Sequence, residues 1–70
     1  MNAETIREWL NRRPFELFEL RLSKGEAYQV RHPEVLANGR GRIAIFDPET
    51  DHFVHVALIH INSIQALQTA

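Results

Sequence analysis

Four histidines stand among the 70 residues, and imidazole is a common side chain in metal binding and in acid–base catalysis. They are His32, His52, His55 and His60. A zinc site needs three or four converging ligands, and strand residues three apart face opposite sides. His52 and His55 therefore do not share a face, and His60 joins His55 only across a bend. The spacing predicts no metal site and no cofactor, with His55 and His60 exposed and His32 in a polar turn.

The other reactive side chains predict no catalytic group. The sequence contains no cysteine, which excludes thiol catalysis, thiolate metal sites and disulfides. The acids of residues 47–51 fall in a turn, where no pocket raises the pKa of one of them. The hydroxyl residues lie in no recognisable nucleophile elbow. We therefore expect no enzymatic activity and see no evident small-molecule substrate; the hydroxyl residues considered are Thr5, Ser23, Thr50, Ser63 and Thr69.

Among the polar stretches of the sequence, the segment Asn38-Gly39-Arg40-Gly41-Arg42 says most about a binding function. Two arginines on a glycine-rich loop can bind phosphates or a carboxylate through paired hydrogen bonds. The alternative is that both arginines are solvated or pair with Glu34 and Asp47. The sequence therefore leaves an anion site at Arg40 and Arg42 open.

Charge is balanced overall but unevenly distributed. Eight basic and nine acidic side chains give a net charge of −1, a poor footprint for a general nucleic-acid binder. Residues 1–46 carry +2 and residues 47–70 carry −3. Such an uneven charge distribution can orient one subunit against a neighbouring subunit. The start of the chain lacks a signal-peptide pattern and no segment is apolar enough to span a membrane, so we expect a cytoplasmic protein.

The elements that must position these residues begin with a helix. Asn2 is a candidate N-cap, and Ile6, Trp9 and Leu10 form one apolar stripe. Pro14 ends the helix, because it disfavours helical geometry in the residue before it. We expect this short helix, within residues 1–13, to pack on the rest of the domain with Trp9 as its anchor.

Alternating patterns after Pro14 predict strands over residues 15–22, 27–32, 43–46 and 52–59. Turns fall at residues 23–26 and 47–51, and residues 34–42 are predicted as a loop. The spacing of Ile61, Ile64 and Leu67 fits either a helical turn before a last strand or a short C-terminal helix. The chain is thus predicted to be one mainly β domain, residues 1–70. In it an N-terminal helix precedes residues 14–70, a small, strongly bent five-stranded antiparallel barrel.

Two aromatic residues on these strands, Tyr28 and Phe46, could stack bases. The alternation favours an interior position for Tyr28 instead.

The fourth predicted strand is apolar on both faces near its end. Val54, Val56 and Leu58 form the inner set, which leaves Phe53, Ala57 and Ile59 as an outer set. Exposed apolar strand surface is normally covered by a partner. We expect Phe53, Ala57 and Ile59 to form a homo-oligomer interface, unless the N-terminal helix covers them in a monomer.

The order of elements resembles the Sm-like fold, an N-terminal helix followed by a strongly bent five-stranded sheet. Leu22-Ser23-Lys24-Gly25 resembles the family's first turn, with Lys24 in place of an acid. Glu34 and Asn38 match its RNA-contacting loop, and Ile59-His60-Ile61-Asn62 falls at its second motif without the family's Arg and Gly. The resemblance implies closed rings and RNA binding near a ring pore through Asn38, Arg40, Arg42 and His60.

A second likeness carries no activity. Arg12-Arg13-Pro14-Phe15 and Val30-Arg31-His32-Pro33-Glu34 are similar to segments of a group of short bacterial proteins of unknown function. Our leading expectation is a non-enzymatic homo-oligomeric binding or scaffolding module. The runner-up is an RNA-binding Sm-like ring protein, and the third possibility is a peptide-binding SH3-like adaptor.

Overall fold

The computed structural model describes residues 1–67, and in them one helix precedes six strands. Two short 3₁₀ turns interrupt the strand sequence, the first before β3 and the second before β6. The elements are α1 (Ala3–Leu10), β1 (Phe18–Leu22), β2 (Ala27–Val30), the first 3₁₀ turn (Pro33–Val35), β3 (Leu36–Asn38), β4 (Arg42–Asp47), β5 (His52–Ala57), the second 3₁₀ turn (Leu58–His60) and β6 (Ile61–Ala66).

Helix α1 begins where the sequence predicts. The Asn2 side chain accepts a hydrogen bond from the backbone N–H of Thr5 at 2.8 Å, which satisfies one of the free donors of the first turn. Ile6 is fully buried, and the Trp9 ring packs on the ring of Phe18 with 5.4 Å between centroids. Ile6 and Trp9, one turn apart, therefore anchor on the core a helix that is too short to be stable by itself.

The six strands form two antiparallel sheets of three. Sheet A has the order β2-β1-β6, and sheet B has the order β3-β4-β5. The β1–β2 hairpin turns at Gly25, whose φ of +91° lies in the left-handed region, and Gly25 N–H donates to the carbonyl of Leu22 at 3.0 Å. The β4–β5 hairpin turns through residues 48–51, as predicted. Both hairpins thus lie where the turn residues indicate.

The prediction of an N-terminal helix before a mainly antiparallel β domain is confirmed, but the strands form two three-stranded sheets and not a closed five-stranded barrel. Six strands are present, and within residues 1–67 no strand ladder joins sheet A to sheet B. Pro33 has no N–H to donate, and the chain leaves sheet A there through the first 3₁₀ turn. It then pairs again as β3, in a stretch predicted to be loop. The second 3₁₀ turn likewise ends β5 at Ala57, two residues earlier than expected.

After the second 3₁₀ turn the chain forms β6, so the strand alternative was correct for this region and the C-terminal helix was not. Residues 68–70 of the predicted domain lie outside the described residues.

The core lies between the two sheets and under α1. Phe18, Leu20 and Val30 of sheet A have no exposed surface, as the alternation predicts. Ile43, Ile45 and Val56 face them from sheet B, and their exposed fractions are 5% or less. None of the helices in the described part of the chain combines the length and apolar character that crossing a membrane takes. The remaining core members are Ile6, Leu36, Leu58 and Ile61.

Candidate functional site

The outer face of sheet B is the side turned away from the core. Strand side chains alternate between the two faces, so the buried Ile43 and Ile45 place their neighbours outside. The register puts Phe46 opposite Phe53 and Ala44 opposite both His55 and Ala37. A single surface therefore collects side chains from three strands, and we define it by Ala37, Arg42, Ala44, Phe46, Phe53, His55 and Ala57.

This face carries exposed apolar side chains at the predicted positions. Phe53 is 65% exposed, and its ring meets that of Phe46 at 5.2 Å between centroids with an interplanar angle of 53°. Ile59, in the second 3₁₀ turn, is 81% exposed, and Ala57 is half-buried. The helix leaves this surface open, because α1 packs on the core through Ile6. The alternative in which the helix covers Phe53 and Ile59 was wrong.

The two ends of sheet B carry opposite charges. Arg40 and Arg42 are exposed at the start of β4. Glu49 and Asp51 are exposed in the turn at its other end, where Asp47 accepts a hydrogen bond from Glu49 N–H at 3.0 Å. In the described range, ion pairs form only between Arg12 and Glu16 and between Arg21 and Glu19; these four residues all lie outside sheet B.

Three of the four predicted RNA contacts lie at one end of the molecule. Gly41, between Arg40 and Arg42, accepts a backbone hydrogen bond from Leu58 at 2.9 Å, and Leu58 begins the turn that contains the exposed His60. The fourth, Asn38, has a structural role. Its side-chain N–H donates to the carbonyl of Ala3 at 2.9 Å and attaches β3 to α1.

The Asn38 side-chain oxygen is buried and has no hydrogen-bond partner within residues 1–67. No sequence pattern indicates the contact of the Asn38 side chain with Ala3, because the two residues lie 35 positions apart.

The histidines do not form a cluster. All four side chains are exposed, with His32 before the first 3₁₀ turn and His52 opposite Asp47. Within the part of the chain described, no three histidine, aspartate or glutamate residues come together as metal ligands.

Two grooves open between the sheets, with volumes of about 310 and 480 Å³, and Tyr28 and Val54 line both. Tyr28 is half-buried, and its hydroxyl donates to the Glu26 carboxylate at 3.1 Å. Burial raises the pKa of Tyr28, and the hydrogen bond and negative charge of Glu26 raise it further. The interior position of Tyr28 is confirmed in part, since its ring forms the wall of these grooves.

Two residues of this face were not predicted to belong to it: Ala44 was not singled out, and Phe46 was considered for stacking bases. Both lie on the outer face of sheet B, and the alternation around Ile43 and Ile45 could have placed them there. What the sequence could not supply was the pairing of Phe46 with Phe53, because that depends on the register of the hairpin.

No protein-family model, no curated protein and no solved structure matches this chain. The resemblances to the Sm-like fold and to the short bacterial proteins therefore stay predictions.

Proposed function

We propose that this chain is a non-enzymatic binding or scaffolding module that assembles with copies of itself through the outer face of sheet B. The observation that carries the proposal is the exposure of Phe53, at 65%, beside a second ring on a three-stranded surface. Burying a phenylalanine side chain contributes about 1.5–3 kcal/mol. Because Phe53 is 65% exposed, about two-thirds of this value remains to be gained in each of two copies that bury it mutually. A second copy is the partner that is always present.

The proposed fold is an open small barrel of the Sm-like kind. Only residues 31–35 separate β2 from β3, and the two segments together run from sheet A to sheet B. Taken as one bent strand, they link the two sheets in the continuous order β6-β1-β2/β3-β4-β5. This order supports the resemblance, with free edges at β5 and β6.

The test is the native mass, measured by size exclusion with light scattering over a dilution series. We expect a multiple of the 8.1 kDa chain mass for the wild type. Phe53→Glu should give the monomer, because the contact would bury two unpaired carboxylates. The matched control is Ala27→Glu, which adds the same charge at an exposed position of sheet A opposite Arg21 and should leave the mass unchanged.

A wild-type monomer at every concentration would overturn the proposal, and so would an unchanged mass for a folded Phe53→Glu variant. Circular dichroism of each variant establishes that it is folded.

A second function, RNA binding, is favoured by the exposure of Arg40, Arg42 and His60 at one end of the molecule. Nucleic-acid absorbance in the same chromatograms reports it. Bound RNA raises that absorbance and is released by high salt, because arginine–phosphate contacts weaken as counterions compete. A protein free of nucleic acid after purification at low salt argues against it.

A further inference from the structure

Charge and side-chain size are both graded along the outer face of sheet B. Its basic end holds Arg40 and Arg42, and the turn at its other, acidic end holds Glu49 and Asp51. The six residues of β4 separate these ends by about 17 Å, at about 3.4 Å per residue. The two charge groups therefore cannot neutralise each other within one molecule, although their signs are opposite.

Side-chain size follows the same direction. Toward the basic end the face carries the small side chains of Ala37, Ala44 and Ala57, with the exposed His55 opposite Ala44 and the exposed Arg42 opposite Ala57. Next to the acidic end it carries the Phe46–Phe53 pair. The two rings thus stand together at one end of the face, and the three alanines lie toward the other end.

Rotating a second copy by a half-turn about an axis that lies in the plane of the interface, perpendicular to the strands, makes these gradients complementary. The strands then run antiparallel, the rings of each copy meet the alanines of the other, and each basic end meets an acidic end. Such an isologous contact uses the same patch twice and closes as a dimer. We propose that two copies of this chain pack the outer faces of sheet B against each other in this way. The inference rests on the proposed function and specifies its geometry.

The size of the face sets the strength of the contact. Two six-residue strands about 17 Å long and the three-residue β3, about 7 Å long, lie about 4.8 Å apart and present about 200 Å² of flat surface, well below the roughly 800 Å² per partner of a standard interface. We therefore expect a weak, reversible dimer that forms only at high protein concentration. In so small an interface the end charges determine which orientation forms, and added salt weakens the dimer.

Two charge-reversed variants test the arrangement. The first, Arg40→Glu with Arg42→Glu, makes the basic end acidic. The second, Glu49→Lys with Thr50→Lys and Asp51→Asn, leaves Asp47 beside two lysines and makes the acidic end net positive. Asparagine is chosen at position 51 because Asp51 has a φ of +60°, which asparagine tolerates. All of the replaced side chains are exposed, so both variants should fold.

Each variant alone should weaken the dimer at least tenfold, since like charges then meet at both ends of the contact. An equimolar mixture should recover a two-chain mass, because both end contacts become attractive in the mixed pair. The matched control is Lys24→Glu with Arg31→Glu, which changes the net charge as the first variant does but on sheet A; it should dimerise like the wild type.

The outcomes separate this inference from the proposed function. A wild-type assembly that depends on Phe53 but contains five to seven chains overturns the two-fold packing and leaves self-association standing. A wild-type dimer that both reversals leave unchanged, or whose variants fail to recover on mixing, does the same. A wild-type monomer overturns both proposals.

Discussion

At the scale of single residues, Tyr28 shows how a position between core and surface changes an acid–base equilibrium. Its ring lines the grooves between the sheets, and its hydroxyl donates to Glu26. Burial disfavours the phenolate first, and the neighbouring carboxylate adds to the effect, so the pKa lies above the ordinary value of 10.0. The folded protein therefore holds the Tyr28 proton more tightly than the unfolded chain does.

We predict that the free energy of unfolding falls as pH rises above about 10, where the unfolded chain loses the Tyr28 proton and the folded protein keeps it. The stabilisation is complete below pH 10.0 and is lost as pH rises through the folded pKa. Tyr28→Phe should remove this part of the slope. Since the sequence has one tyrosine, tyrosinate absorbance measures the folded pKa directly. A midpoint at or below the ordinary value would contradict the assignment.

Individual interior residues were predictable where a short-range pattern fixes them. The period of two marked Phe18, Leu20 and Val30, which the structure buries completely. Asn38 was not predictable in this way. Its contact with Ala3 joins elements that are distant in sequence, so its role as the link between β3 and α1 depends on the packed fold.

At the scale of elements, turns were predicted better than strand ends. Gly25 identified the β1–β2 turn because its φ of +91° is one that glycine adopts at little cost. The three-residue β3 was missed, because turn-forming residues surround it and three residues give too short an alternating pattern. It forms because Leu36 pairs opposite Ile45 and both side chains enter the core.

We predict that Gly25→Ala lowers the free energy of unfolding by about 1–2 kcal/mol, because an L-residue is strained at this φ. Gly41→Ala is the matched control. Gly41 has no positive φ and a Cβ there meets nothing within 4 Å, so the change should be neutral or stabilise by up to about 1 kcal/mol. Urea denaturation of both variants measures the difference. Equal stabilities would show that the hairpin turn relaxes without strain.

At the scale of the whole molecule, α1 and both sheets share one core. Ile6 of α1, Leu20 of sheet A and Ile45 of sheet B belong to the same buried cluster. The sequence predicted this single core but not its division into two sheets. Where each ladder stops depends on the two 3₁₀ turns, and only the first had a clear signal, at Pro33.

We predict one cooperative unfolding transition, with tryptophan fluorescence and far-ultraviolet circular dichroism coinciding. Trp9 is the only tryptophan and reports on α1, whereas the dichroism reports mainly on the strands. Ile6→Ala should shift both unfolding transitions together. It should lower the free energy of unfolding by about 2–5 kcal/mol, a large share of the stability of so small a domain. Glu8→Ala, on the exposed side of α1, should change it by less than about 0.5 kcal/mol. Fluorescence that changes first would mean that the helix detaches alone.

The separated charges of sheet B also act before any contact is made. Arginines at one end of β4 and acids at the other give the sheet an electric dipole along the strand direction. Its field extends about 10 Å at moderate ionic strength, roughly the depth of a few water layers. Two molecules that diffuse within this range exert a torque on each other that turns their dipoles antiparallel. The orientation of the two molecules is then partly selected before they touch. Lowering the ionic strength should therefore raise the association rate by a larger factor than it lowers the dissociation rate.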